Sequence, residues 1–434
     1  MKQGIPDFGI QKLGDAAITS PVASGYFIHD SKRILYDRYL HNLESSQTTE
    51  GTPSSIEIAG PRKMIYFDPS NVKAAIVTCG GLSPGINDVI RAVVMGLYYR
   101  YGVRNIAGIR YGFQGLVRKY HHEVLSLTPE IVKDIHSLGG SILSLSRGGQ
   151  DIAEMVDTLC RMNINIFFCI GGDGTMNAAE LITEEINRRN LKISVIGIPK
   201  TIDNDLNLID KTFGFDTAIS IVVNAIRCAH VEAKSAPMGI GLVKIMGRES
   251  GHIVLSAALA QNDVNFALIP EEPFDLEGEK GLFKALERRL RDRKHALILV
   301  AEGAGQELCA GNDPKRTDAS GNTRLSDIGI YLKTRIEDYF KKMKMEHNIK
   351  YIDPSYTIRS VPANASDSIY CELLGQLAVH AGMAGKTGMV VGLFNGEYVH
   401  LPFKSVAFRR KVDTEGNLWM RVLEATGQPV SMKN

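Results

Sequence analysis

From Lys73 onward the chain repeats one pattern that few folds can absorb. A run of five to seven apolar or β-branched residues meets a Gly or Pro, and an amphipathic stretch follows. Residues 74–78 (AAIVT) lead through GGLSPG into 86–99, and 164–170 (INIFFCI) lead through GGDGT into 176–187. Residues 193–198 lead through PKTIDND toward 217–232, 240–245 lead through MGRESG into 252–260, and 296–300 lead through AEGAG into a polar loop. Continuous apolar strands alternating with helical patterns predict parallel sheets covered on both faces. In such sheets ligands gather at the carboxyl ends of the strands, where these glycine loops fall.

Other signals agree with an α/β fold. Thr128-Pro129 has the order of an N-cap and first helical residue, and Gly139-Gly140 marks a stop. Ile328, Leu332, Ile336, Tyr339, Phe340 and Met343 share one face of a further helix. The expected architecture is two doubly wound Rossmann-like domains with mainly parallel sheets, over about 73–235 and 236–434, plus an N-terminal extension at 1–72. The extension does not follow the repeat. Its polar stretch 41–60 reads as a loop or linker, and 312–322 reads as a surface loop. Phe167-Phe168 and Tyr98-Tyr99 are expected in the core, and His121-His122 on the surface.

Charge excludes some functions. Fifty Lys and Arg against 48 Asp and Glu give a net charge of +2, so no global field recruits nucleic acid or an anionic membrane. Any anionic substrate must be held by local groups. The cysteines at 79, 160, 169, 228, 309 and 371 form no CxxC pair, which fits a reducing, cytoplasmic setting. No apolar run reaches the roughly 18 residues of a bilayer span.

Three loops have the composition for chemistry. In Gly171-Gly172-Asp173-Gly174-Thr175, small residues let backbone approach phosphate, and the following helix N-terminus favours negative charge. Asp173 is placed to hold Mg²⁺ that bridges phosphate oxygens, although a tight turn with a capping Asp fits the same pentapeptide. In Lys200-Thr201-Ile202-Asp203-Asn204-Asp205, two carboxylates can divide proton acceptance from metal or orienting duties, while Asx turns are the plainer alternative. Met246-Gly247-Arg248, with Arg147 upstream and Arg359 downstream, adds arginines suited to bidentate phosphate contact. Glu302 can accept from a sugar hydroxyl or serve as a cap. No Ser-His-Asp or Cys-His arrangement points to a covalent nucleophile.

Together, GGLSPGIND (80–88), SRGG (146–149), GGDGT (171–175), PKTIDND (199–205), MGRESG (246–251), AEG (301–303) and YTIRSVPANASD (356–367) resemble the 6-phosphofructokinases in content and order. The similarity runs over about 70–420 and is greatest to the long ATP-dependent enzymes of plants and kinetoplastids. It implies transfer of the γ-phosphoryl group of ATP to the 1-hydroxyl of fructose 6-phosphate in glycolysis. By that resemblance Gly81, Arg147 and Gly148 contact nucleotide, Gly172 to Thr175 form the phosphate loop, and Asp173 holds Mg²⁺. Asp203 is the general base, flanked by Thr201 and Asp205. Thr201 to Asp203, Met246, Gly247, Arg248, Glu302, Tyr356, Thr357, Ile358 and Arg359 match the sugar-phosphate pocket, with Arg248 also catalytic.

Gly174 and Lys200 bear on the donor. Pyrophosphate-dependent members typically carry Asp and Lys at these positions, and a carboxylate at 174 would repel the α-phosphate region of a nucleotide. Gly174 favours ATP. Gly239 and Ser368 stand where the short bacterial enzymes carry sugar-phosphate arginines, which turns attention to Lys234 and Lys244. The resemblance also implies an allosteric homotetramer. The competing readings are pyrophosphate as donor, a non-catalytic regulatory subunit, and a lipid or NAD kinase, the last resting on GGDGT alone.

Overall fold

The computed structural model describes residues 7–23, 25–39, 54–309 and 325–434. The chain forms two compact units that are discontinuous in sequence. The first comprises 1–201, 206–214 and 361–409; the second comprises 202–205, 215–360 and 410–434. These units depart from a sequential cut at 72 and 235. The described part of 1–72 belongs to the first unit, and the chain returns to that unit after residue 360.

The first unit is built on a nine-stranded sheet. Its centre is parallel: Lys73–Thr78 lies between Asn105–Ile109 and Ile166–Gly171, and Ser194–Pro199 and Met389–Phe394 follow in order. The apolar runs have no polar face because both faces are covered. Ala74, Ile76, Ile166, Phe168, Ile170, Ile196 and Ile198 enter one core. Their alternating neighbours Ala75, Val77, Phe167, Cys169 and Val195 enter the other. The helices Ile86–Met95 and Ala365–Met383 supply the first core, and Ile152–Arg161 and Asp173–Arg188 supply the second. The two-residue period of a strand thus feeds two layers of helix.

Several local expectations need correction. Part of the supposed linker at 41–60 is the strand Ser55–Ile58, which joins the sheet antiparallel beside Glu397–Pro402; 41–53 and the expected loop at 312–322 lie outside the described residues. Alternation hides in that strand because Ile56 and Ile58 are separated by Glu57, which is buried among ionic partners. The helix expected over 86–99 changes at Gly96 into a π-helical turn, Gly96–Tyr101. Tyr98 therefore lies against the Arg104 guanidinium, 3.7 Å from the ring centre, and Tyr99 is exposed rather than in the core. Thr128 does cap a helix, accepting from Ile131 N, but that helix stops at Val132. His122 is half-buried against Tyr111 and Tyr120.

The second unit carries a four-stranded parallel sheet in the order Phe266–Leu268, His295–Ala301, Gly239–Ile245, Asn348–Ile352. One core joins it to the helices Phe215–Ser235, His252–Ala260, Leu282–Arg293 and Ile328–Lys342, and takes in Trp419. Among the described residues, no helix is long and apolar enough to cross a membrane.

A buried ionic cluster fastens the N-terminal segment to the first unit. Glu57 lies 2.7 Å from Lys386 Nζ, 2.7 Å from Arg62 Nη2 and 2.8 Å from His400 Nδ1, and all four side chains are buried. Asp30 adds contacts to Arg62 and Lys386 at 2.7 and 3.1 Å. Burial works to raise the Glu57 carboxyl, but the His400 bond and the charge and bond of Lys386 outweigh it and hold it down at about 2. Breaking a buried pair leaves a charge uncompensated, so Glu57→Gln is expected to lower the unfolding free energy by about 3 kcal/mol at neutral pH. The folded pKa is depressed from 4.5, so the Glu57 contribution is complete above 4.5 and is lost as pH falls toward about 2. Urea denaturation at successive pH values checks both statements: the gap between the two chains must narrow over that window.

Candidate active site

In the first unit, three loops, two of them rich in glycine, leave the carboxyl ends of three adjacent parallel strands. The register aligns Thr78 with Ile170, and Ile170 with Ile198, so the loops begin at one level. Lys200 N donates to Gly171 O at 2.8 Å, and Lys200 Nζ donates to Gly81 O at 2.6 Å. Gly80 N donates to Ser146 O at 3.2 Å, which brings Arg147 and Gly148, both exposed, beside the first loop. Lys200 is almost fully buried, and its reach across two loops is a structural duty that the sequence did not disclose.

Gly172 precedes the helix Asp173–Arg188 and caps it without a side chain. Asp173 is therefore not the capping residue that the bare pentapeptide allowed. Its Oδ2 instead accepts from Arg409 Nε at 2.8 Å. Gly171 is dictated by close approach, because a Cβ there would lie 2.1 Å from Thr175 Oγ1. Gly174 is under no such pressure: a Cβ would meet nothing within 4 Å. The first helical turn presents amide groups without intrahelical acceptors, as suits an anion.

The PKTIDND loop is shared out between the units. Thr201 is in the first, where its carbonyl accepts from Thr212 Oγ1 at 2.6 Å. Ile202 to Asp205 belong to the second. The Ile202 side chain is in the second unit's hydrophobic core. Asn204 adopts a left-handed conformation (φ 52°), which Asn tolerates better than most residues. Its carbonyl accepts from Arg410 Nη2 at 3.0 Å, and the Asp205 carbonyl accepts from Arg410 N at 2.5 Å. Asp203, directly before them in the chain, is half-buried.

In the second unit, the loops after Gly239–Ile245 and His295–Ala301 are hydrogen-bonded together. Glu302 N donates to Ile245 O at 2.8 Å, and Gly303 N donates to Gly247 O at 3.1 Å. Gly247 has φ 131°, a conformation that favours glycine, and this sets the course of Met246-Gly247-Arg248. Burial pushes the Glu302 carboxyl up, against the pull of Arg248, Lys244 and Arg359. Arg248, Arg359 and Glu302 thus share one electrostatic neighbourhood. Arg359 stands 5.1 Å from the centre of the exposed Tyr356 ring. Thr357 opens the short helix Thr357–Ser360, while the Ile358 side chain is in the core.

Lys244 belongs to the same neighbourhood, 2.7 Å from Asp353 and 3.5 Å from Asp327. Burial acts to lower the Lys244 amine, but the bonds and charges of those two carboxylates leave it raised. Lys234 instead lies exposed in the last turn of Phe215–Ser235. Gly239 is a packing requirement, since a Cβ would lie 1.9 Å from Ala233 O. Ser368 lines a cavity of about 190 Å³ in the first unit with Asp88, Arg91, His136 and Glu372. Sequence reasoning missed Arg409 and Arg410. The run Arg409-Arg410-Lys411 was a visible signal, but nothing in its spacing tied it to loops some 200 residues earlier.

Comparison with known proteins gives one consistent result. The phosphofructokinase family model matches residues 73–382. An ATP-dependent 6-phosphofructokinase of Borreliella burgdorferi is 51% identical over 442 residues, covering 99% of this chain and 98% of that protein. ATP-dependent 6-phosphofructokinase 7 of Arabidopsis thaliana is 52% identical, over 86% of this chain and 76% of its own length. The ATP-dependent 6-phosphofructokinase of Trypanoplasma borreli is 43% identical, over 97% of this chain and 87% of that protein. Among solved structures, a pyrophosphate-dependent phosphofructokinase from Marinobacter aquaeolei superposes with a TM-score of 0.67 at 18% identity, covering 83% of this chain and 92% of that one. At that identity the likeness speaks for the fold alone. With a family match over most of its length and relatives near half identity from end to end, the chain belongs to the phosphofructokinase family.

Proposed function

We propose that the chain transfers the γ-phosphoryl group of ATP to the 1-hydroxyl of fructose 6-phosphate, giving fructose 1,6-bisphosphate and ADP in glycolysis. The reading is supported by relatives at 43–52% identity whose names specify ATP. Within the chain, the observation that carries it is Gly174, where open space is left for the nucleotide.

The first unit holds the donor. Gly81, Arg147, Gly148 and Gly172 to Thr175 surround its phosphates, and Asp173 is the metal carboxylate. The residues fit Mg²⁺ in the manner usual for phosphoryl transfer, in which one or two carboxylates and substrate phosphates share the ion. Asp173 is partly exposed, and no ready-made cage of His, Cys, Asp or Glu occurs among the described residues. When bound, Mg²⁺ supplies charge neutralisation across phosphate oxygens.

The second unit holds the acceptor through Met246, Gly247, Arg248, Glu302 and Tyr356 to Arg359. Arg248 and Arg359 meet the sugar phosphate as planar, permanently charged forks. A Glu302 carboxyl lifted by burial is suited to a sugar hydroxyl. Asp203 takes the proton of the attacking 1-hydroxyl, with Thr201 and Asp205 flanking it. Ile202 and Ile358 contribute through their backbone, since their side chains are core. Lys200 shapes the donor site by tying Gly81 to the strand end. Family resemblance further supports a cytoplasmic, allosterically regulated homotetramer.

Purified protein with Mg²⁺ and fructose 6-phosphate should turn over robustly with ATP and not with pyrophosphate; the opposite preference refutes the donor assignment. Gly174→Asp should fold, because its Cβ enters open space. Its kcat/KM for ATP should fall on the order of a hundredfold, as expected of a like charge set a few ångströms from the nucleotide phosphates. Asp203→Ser should lower kcat by about 10²–10⁴, the usual contribution of a general base, while fructose 6-phosphate still binds in calorimetry. Retained turnover in that variant removes Asp203 from the role.

A further inference from the structure

Arg409 is absent from every motif of the donor site, yet it makes the ion pair that Asp173 shows. Its Nε lies 2.8 Å from Asp173 Oδ2, and both side chains are about one-third exposed or slightly less. The approach is set by the backbone and is not the chance reach of a long side chain. Arg409 bridges antiparallel to Leu206, directly after the PKTIDND loop. On the same segment, Asn207 N donates to Phe408 O at 3.0 Å, and Asn207 Nδ2 donates to Ser405 O at 2.9 Å. The 405–409 strap is thus stitched to the chain segment that follows the acidic loop, and its guanidinium is aimed at the phosphate loop.

That placement has a chemical consequence. Arg409 occupies Oδ2, so a divalent cation that takes this oxygen displaces the guanidinium, and one that binds through Oδ1 meets its charge repulsion; the two cations compete. A partly exposed pair of this kind is weakly held and exchanges readily. The displaced guanidinium does not leave the neighbourhood, because its backbone is fixed. The anion that arrives with the cation is a polyphosphate, whose oxygens match the guanidinium fork.

We propose that Arg409 is a further donor-binding residue: Arg409 and the divalent cation are alternative partners of Asp173, and the guanidinium released by the cation is taken up by phosphate oxygens of the nucleotide. The proposal rests on Asp173 being the metal carboxylate.

The test uses the full chain carrying Arg409→Gln, Arg409→Lys or Asp173→Asn, with two probes. Mn²⁺ alone is titrated by the loss of its free-ion electron paramagnetic resonance signal, and Mn²⁺·ADP by calorimetry. Removing the competitor should make Arg409→Gln bind Mn²⁺ alone several-fold more tightly. The same variant should bind Mn²⁺·ADP on the order of tenfold more weakly, the cost of one charged hydrogen bond. Arg409→Lys should recover part of the Mn²⁺·ADP affinity, which a folding defect would not explain. Unchanged Mn²⁺ affinity in Arg409→Gln overturns the competition, unchanged Mn²⁺·ADP affinity overturns the transfer, and either result overturns the proposal. Asp173→Asn separates the two levels: if it binds both probes as the unsubstituted chain does, Asp173 is not the metal carboxylate and the underlying site assignment fails.

Discussion

Parallel pairing of the three central strands of the first unit is the constraint on which its site depends. In a parallel ladder every carboxyl end points the same way, so a shared register is enough to bring successive loops level. Thr78, Ile170 and Ile198 stand in one row, and the loops after them are close enough for Lys200 to bond both Gly171 and Gly81. The strands accept this arrangement only because both faces are buried, Phe167 and Phe168 pointing into different cores. Helices must then cover both faces, and the helix Asp173–Arg188 is one of them. The same burial that stabilises the sheet delivers a helix N-terminus to the Gly171–Thr175 loop.

Much of this was legible from local pattern. The helix His252–Ala260 and the strands beginning at Lys73, Ser194 and Gly239 sit within a residue or two of their expected limits, because a run of β-branched residues ending in Gly leaves little choice of period. What escaped was non-local. Ser55–Ile58 looks polar until Lys386, more than 300 residues away, neutralises Glu57 and the equally distant His400 hydrogen-bonds it. Tyr99 was misplaced because the change to π-helical winding at Gly96 rotates the face that follows. Arg409 reaches Asp173 through strand-like pairing with Leu206, and no spacing rule connects those segments. The sequential domain boundaries missed the return of residues 361–409 to the first unit for the same reason.

The near-zero net charge gains meaning from these contacts. Charge is not spread thinly; it is paired locally. Lys244 is set against Asp353 and Asp327, Arg409 against Asp173, and Lys386 against Glu57. The first two pairs are partly exposed and lie among residues proposed to meet phosphate. The third is buried and structural. Where the pairing lies, not how many charges there are, separates binding from stability.

Trp419, the chain's sole tryptophan, is enclosed in the core of the second unit. Indole emission from this protein is therefore a local reporter. It senses loosening of the second unit and is blind to the nine-stranded sheet, whereas far-ultraviolet dichroism sees both. Coincidence of the two signals in one melt would mean that the units unfold as a single cooperative body, and a gap between them would measure their independence.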